Sequence, residues 1–416
     1  MSKLAMLGGQ PVWTGEWPNW PQPNPDGQAN LTQVYQSPRW AISGSSAGNA
    51  FFERQFSRAF ADYCQVDYCI PTSHGSSALL IALEALDIGP SDEVIVPALT
   101  WVATASAVTN VGAIPIIVDV DPKTFCIDPQ AVKDAITPQT KAIMPVHING
   151  CLADMDTLLE ISTLHNIPVI EDCAHAHGAR WKDQPSGSIG VIGAFSMQRG
   201  KLLTCGEGGA VVTNVSHLAE KLEQLRADGR KYNNNGELED KGDIQGTNYC
   251  LSEFQSAVLV ANLDLLDSQH QTRLENAQYL ENLLLSIDGV RAVIPDARVT
   301  KRAFYCYGLQ VNLDIFGNKS IETVRRALSA ELNYEIWTTY DPLYKCNLYS
   351  PLSKRRFLYN DEQLLRLDPT QFYCSNAEYI RNTCLELHHS MFLSGRQEME
   401  AIAEAIVKVK SHCNEL

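Results

Sequence analysis

The sequence predicts an α/β protein, with a large domain on a mainly parallel sheet followed by a smaller α+β C-terminal domain. Three observations carry this. Short apolar runs alternate with helical patterns from about residue 51 to past residue 228. Residues 252–287 keep helical periodicity over a length that suits a connecting helix. The remainder, about 290–416, mixes strand and helix patterns. At 416 residues the chain also exceeds one typical compact domain. The expected division is an N-terminal arm over 1–50, a large domain over 51–270, and the connecting helix with the small domain over 271–416.

Taken in order, residues 11–30 are rich in Pro, Trp, Asn and Gly and read as irregular. In GSSALLIALEAL, Leu79, Leu80, Leu83 and Leu86 fall on one helical face. Strands are expected at Glu93–Val96, Ile114–Val118, Ala142–Val146, Pro168–Ile170, Ile192–Phe195 and Ala210–Thr213. Helices are expected after Trp101, near Ala131–Ile136 and after Asp154. Polar, turn-rich residues 232–242 read as a mobile surface loop. In the last part, Tyr305–Val311 reads as a strand, and Ile321–Leu332 and Gln397–Lys410 as helices. Sites in such sheets lie at the carboxyl ends of the strands.

Composition narrows the function. Apolar content of 45% and charged content of 19% suit a globular chain with a filled core. A net charge of −15 argues against nucleic acid and anionic membranes as partners, because no basic stripe exists to displace their counterions. The N-terminus lacks the pattern of a signal peptide, and no apolar run is long enough to span a membrane. Twelve cysteines without a CxxC pair fit a reduced, cytoplasmic protein in which Cys serves as a small hydrophobe.

Three features sit where chemistry is expected. Asp172 follows the apolar run Pro168–Ile170; desolvated there, it needs a cationic partner, such as a protonated pyridine nitrogen. Its blander reading is a cap for the next turn. Lys201 lies in FSMQRGKLLTCGEGG, where burial would make it a nucleophile toward aldehydes. It is not the lysine of a nucleotide phosphate loop, since six residues separate Gly193 from Gly200 and Leu202 follows the lysine. A surface lysine in a glycine-rich turn is the plain alternative. Gly75, Ser76 and Ser77 follow His74 at a helix start, where free amides bind phosphate, although serine is also an ordinary cap. Trp101 follows a strand and offers a ring to a planar heteroaromatic, or simply to the core. Cys173, His175 and His177 lack a second ligand pair, so no metal is expected. The formal G-x-S-x-G match at residues 44–48 precedes the alternation and is read as a chance match.

The ordered series GSSAL, EVIVPALTWVATA, MPVHINGCLADMD, VIEDCAHAHGA, AFSMQRGKLLTCGEGG and GTNYCLSEFQSA resembles the DegT/DnrJ/EryC1/StrS aminotransferases from about residue 31 onward. The resemblance implies the fold-type-I architecture of pyridoxal 5′-phosphate (PLP) enzymes, with a seven-stranded sheet, and a cycle between PLP and pyridoxamine 5′-phosphate. It implies that Lys201 is the Schiff-base lysine, that Asp172 partners the pyridine nitrogen and that Trp101 stacks on the ring. His175 stands where a Gln often lies near the phenolic oxygen. Gly75, Ser76 and Ser196 would hold the phosphate. Asn248 would reach the phosphate of a neighbouring subunit, which implies a homodimer with shared sites. QSPRWAISG and KGDIQGTNYCLSEFQSA are similar to the branch that aminates scyllo-inosose from L-glutamine in aminocyclitol antibiotic pathways; glutamate remains open as amino donor. VHINGCLADMD and CAHAHGARW also resemble 3-amino-5-hydroxybenzoate synthases. Cys250 replaces the Arg that nucleotide-sugar aminotransferases carry, and Tyr344 stands near their small-domain His, which weakens that alternative.

Overall fold

The computed structural model describes residues 3–43, 51–233 and 238–416. The G-x-S-x-G match at 44–48 lies outside them.

Seven strands form the central sheet: β1 (Tyr68–Thr72), β2 (Glu93–Pro97), β3 (Ile114–Val118), β4 (Thr140–Ile143), β5 (Ile170–Asp172), β6 (Ile192–Ser196) and β7 (Gly209–Thr213). Their spatial order is β1-β7-β6-β5-β4-β2-β3. β4 joins β5 through parallel bridges at Ile143–Val169 and Val146–Asp172, so two strand groups make one sheet. β7 alone runs antiparallel to its neighbours. The parallel strands are apolar and almost fully buried, as a sheet covered on both faces requires.

Helices α1 (Pro25–Gln36), α2 (Phe52–Cys64), α3 (Gly75–Ala85), α4 (Ala103–Asn110), α5 (Pro129–Ala135), α6 (Met155–His165) and α7 (Ser216–Arg226) accompany this sheet. The first overturns part of the expected irregular stretch. Asn24 caps α1 by accepting from the Asp26 amide, Pro25 takes the first turn, and Asn30 Nδ2 donates to the Ala257 carbonyl. Its polar sequence hides a helix that buries only Gly27 and Val34. The expected loop at 232–242 also differs: Lys231–Tyr232 pairs with Leu238–Glu239 as a hairpin stem, and residues 234–237 lie outside the described set.

Helix α8 (Glu253–Leu284) starts at a capping box formed by Ser252 and Gln255. Its first half, with Leu259 and Leu266, packs in the core of the seven-stranded sheet. Its second half, with Ala277, Leu280 and Leu284, enters a second core. That core covers an antiparallel sheet of β8 (Val290–Ala292), β9 (Cys306–Val311), β10 (Trp337–Thr338) and β11 (Cys384–His388), ordered β8-β9-β11-β10. Helices α9 (Ile321–Leu332) and α12 (Arg396–Ser411) complete this part, while α10 (Asp361–Leu367) packs on β3 and α11 (Ser375–Thr383) sends Ala377 and Ile380 into the first core. The N-terminal segment is strapped to it. Glu331 accepts from the amides of Ala5 and Val12 and pairs with Lys408 at 2.7 Å. No helix among the described residues is long and apolar enough to cross a membrane.

Candidate active site

The carboxyl ends of β1, β2, β5 and β6 open onto one cavity of about 530 Å³. It gathers Gly75, Ser76, Trp101, Asp172, His175, Ser196 and Lys201 from the sequence-predicted set.

Lys201 sits on a turn that leaves β6 and returns to β7. Backbone bonds from Met197 to Gly208, Arg199 to Gly206 and Lys201 to Gln198 close it, and Gly206 takes a left-handed φ of 94°. The lysine is only 9% exposed. Burial pulls its pKa down to about 8, with Asp172 opposing that pull. Its Nζ lies 4.3 Å from the Tyr305 ring centroid, a face that tolerates either charge state. A lysine so placed holds a substantial neutral, nucleophilic fraction near neutral pH.

Asp172 ends β5. Its Oδ2 accepts from Thr104 Oγ1 at 2.9 Å and its Oδ1 from the Ala174 amide at 3.1 Å. Burial raises its pKa, while these two bonds and the nearby Lys201 resist the rise. A cationic ring nitrogen is the partner such a carboxylate lacks.

The opposite end of the cavity is an anion cradle. Gly75 opens α3, and a Cβ there would fall 2.5 Å from Ser196 Cβ, so only glycine lets the helix start meet β6. Ser76 and Ser196 line the space beside it, at the positive end of the α3 dipole. Ser77 departs from the expectation. It is not on the cavity, because its hydroxyl donates to the His74 carbonyl and accepts the His74 amide as part of the helix cap. Asn248 is also outside the cavity, on an exposed edge where its Oδ1 accepts from the Cys250 amide.

Trp101 keeps 49% of its surface exposed beside the cavity. His175 stacks on Tyr305 at 3.7 Å, and burial followed by Lys201 drives its pKa well below the usual value. Of the other tested metal candidates, His177 packs against Phe195, while Cys173 lies near His147 and Glu171. Glu171 already accepts from His147 and from the amides of Gly187, Ile189 and Gly190. Tyr344 turns away and donates to Glu378, whereas Tyr340, four residues earlier, lines the cavity.

Sequence reasoning missed Thr104, Tyr305, Trp337, Tyr340, Gln198 and Glu207 on the cavity wall. Only Thr104 carried a local signal, since it lies one helical turn beyond Trp101. The lysine, the buried carboxylate and the Gly75 cradle together fit PLP: an amine for its aldehyde, an anion for its ring nitrogen and a helix start for its phosphate.

Comparison with known proteins agrees with this chemistry. The model of the DegT/DnrJ/EryC1/StrS aminotransferase family matches residues 24–406. An L-glutamine:2-deoxy-scyllo-inosose aminotransferase from Streptoalloteichus tenebrarius is 44% identical, over 99% of this chain and 99% of its own length. An L-glutamine:scyllo-inosose aminotransferase from Streptomyces griseus is 43% identical, over 100% of this chain and 99% of its own. Among solved structures, 3-amino-5-hydroxybenzoic acid synthase superposes with a TM-score of 0.84 at 32% identity, covering 97% of this chain and 100% of that one. With its fold, its lysine and its cradle in place, this chain belongs to the DegT/DnrJ/EryC1/StrS aminotransferase family.

Proposed function

We propose that the protein transfers the amino group of L-glutamine to a cyclic ketone of the scyllo-inosose class. Identity above 40% to relatives that carry out such transfers, over nearly the whole chain, is the observation that carries this reading. The cavity supports it as well. Among the described residues its lining holds one lysine and no arginine, so this chain offers no clamp for a diphosphate. Aromatic walls from Trp101, Trp337 and Tyr340 suit the C–H faces of a neutral cyclitol.

Bound PLP supplies an aldehyde that exchanges with amines and a ring that withdraws electrons from the neighbouring C–H bond, its amino form being pyridoxamine 5′-phosphate. Lys201 is the residue that holds it covalently and, once free, takes the proton from Cα of the amino donor. With a pKa near 8, Nζ is matched to that transfer and to its reverse on the acceptor carbon. Asp172 stays ionised against a protonated ring nitrogen and is in place before charge develops. Gly75, Ser76 and Ser196 would hold the phosphate, and Trp101 would stack on the ring. His175 would lie near its phenolic oxygen. Asn248, exposed on the edge of this chain, completes the site of a second copy in a homodimer. We assign the arm to 1–50, the cofactor domain to 51–270 and the rest to 271–416, in a cytoplasmic enzyme.

The test offers the amino-loaded enzyme a panel of keto-cyclitols, keto-sugars and nucleotide keto-sugars. Return of the lysine-bound absorption with scyllo-inosose or its 2-deoxy form is expected; return only with nucleotide sugars would overturn the reading. The structural likeness to 3-amino-5-hydroxybenzoic acid synthase favours a second reading, dehydration with ring aromatisation. Product mass separates the two, as a gained amine or a loss of water.

A further inference from the structure

The turn between β4 and α6 is built with unusual constraint. Asn149 and Gly150 are both left-handed, at φ 52° and 78°. A Cβ on Gly150 would fall 1.4 Å from the Ala303 carbonyl oxygen, so the turn is pressed against the chain that enters β9. Glycine is obligatory there, and Asn is among the few other residues that accept this conformation.

In this conformation the Asn149 amide points at His175 Nδ1, 3.3 Å away. A ring nitrogen accepts an N–H only when it carries no hydrogen, so neutral His175 must carry its hydrogen on Nε2. Nε2 lies 3.5 Å from the Tyr340 hydroxyl, and the Tyr305 ring stacks on the His175 ring. All three rings line the cavity. The Asn149 side chain points the other way: its Nδ2 donates to Glu386 Oε1 at 2.7 Å. Glu386 is a buried carboxylate in β11, opposite Gly308 of β9 and Trp337 of β10.

We propose that Asn149 is a positioning residue of the active site. Its main-chain amide holds His175 as the Nε2–H tautomer, and its side chain anchors that amide through Glu386 to the small antiparallel sheet. The hydrogen that His175 presents toward the cavity therefore depends on how β11 seats against the β4–α6 turn. Because burial keeps His175 neutral, the tautomer rather than the charge is what the surroundings select. Which ligand oxygen receives this hydrogen rests on the function proposed above; the tautomer itself does not.

The test is NMR of the full-length, cofactor-free protein carrying ring-labelled histidine, with the His175 signal identified by its loss in His175→Gln. The wild type is expected to show the Nε2–H form alone. Asn149→Asp sets a second carboxylate against Glu386, and the other tautomer should rise to about a tenth of the population or more, the scale of one lost fixing hydrogen bond. The double variant Asn149→Asp/Glu386→Gln rebuilds the bond with its donor reversed and should restore one tautomer. A single unchanged tautomer in Asn149→Asp, or a mixture that persists in the folded double variant, overturns the proposal. Should Asn149→Asp not fold, Asn149→Gly keeps the left-handed turn without the anchor: a mixture supports the proposal and an unchanged tautomer overturns it. Since no cofactor or turnover is involved, this result stands or falls apart from the acceptor panel.

Discussion

Glu171 and Asp172 are neighbours on β5, and both are buried, yet they face opposite sides of the sheet. On the rear side, Glu171 accepts from three amides of the 187–190 turn and from His147, which itself accepts the Ala153 amide. Every lone pair there is used, and the carboxylate knits β5 to its surroundings. On the cavity side, Asp172 accepts one hydroxyl and one amide, and its remaining capacity faces the cavity. Two adjacent acids thus differ in what they meet: one is fully occupied by protein donors, and the other keeps capacity open to the cavity. The difference lies in how many protein donors each meets, because a buried carboxylate that meets too few is stable only against a ligand's positive charge.

The largest effect belongs to the cavity side. Lys201→Ala should remove the visible absorption of the lysine-bound cofactor and lower transamination by more than about 10⁴-fold, since it deletes the group we propose as both covalent anchor and proton carrier. The same variant has a signature in the cofactor-free protein. The folded-state pKa is depressed to about 8 from an ordinary 10.5. Between those values the unfolded chain binds a proton that the folded chain does not, so stability rises with pH, by up to about 3 kcal/mol from this group. Buried thiols held above their ordinary value pull stability down with pH across the same window, so Lys201 is read from the difference: thermal melts of the variant should fall with pH more steeply than those of wild type. An unaltered pH slope would mean that Lys201 is not held neutral by burial.

The two acids themselves should respond in opposite ways. Asp172→Asn is expected to fold with an unchanged melting temperature, bind cofactor and lose about 10²- to 10³-fold in rate. Glu171→Ala strands His147 and three amides, and should cost about 3 kcal/mol or more of stability. The rate per folded molecule should change far less than in Asp172→Asn. Denaturant melts alongside turnover decide the matter. If Asp172→Asn unfolds the protein, or Glu171→Ala costs only rate, the division between the two sides of β5 fails.

Sequence reasoning reached the cavity side well and the rear side hardly at all. Lys201, Asp172 and Gly75 are legible because each sits in a short local pattern at the end of a strand or the start of a helix, where the chemistry of the element end is already written. Glu171 reads as one more acid beside Asp172, since its partners arrive from turns 16 to 19 residues away and from a histidine 24 residues back. Tyr305, Trp337 and Tyr340 come from the chain beyond α8, around β9 and β10, and carry no local mark of a site. Ser77 was grouped with Ser76 by adjacency, but one helical step turns its hydroxyl into the cap. For the fold, periodicity located the strands yet could not show that β7 runs against the others, because antiparallel and parallel strands buried on both faces have the same apolar pattern. Helix α1 escaped because it is polar almost throughout; Asn24-Pro25-Asp26 was its only signal.

Thr104 gives the finest probe of why Asp172 differs from its neighbour. Its hydroxyl donates to Asp172 Oδ2, is itself within 3.2 Å of the Thr100 hydroxyl, and reaches the site from the first turn of α4. That bond favours the ionised carboxylate, whereas burial favours the neutral one. Thr104→Val keeps shape and removes only the donor, so the Asp172 pKa should rise further. With cofactor bound, the acid limb of the pH–rate profile should move upward. The rate at neutral pH should fall by roughly 10- to 100-fold, the scale of one hydrogen bond to a charged group. A variant with an unshifted acid limb would mean that the ligand's charge alone keeps Asp172 ionised. The number of protein donors would then no longer explain why the two sides of β5 differ.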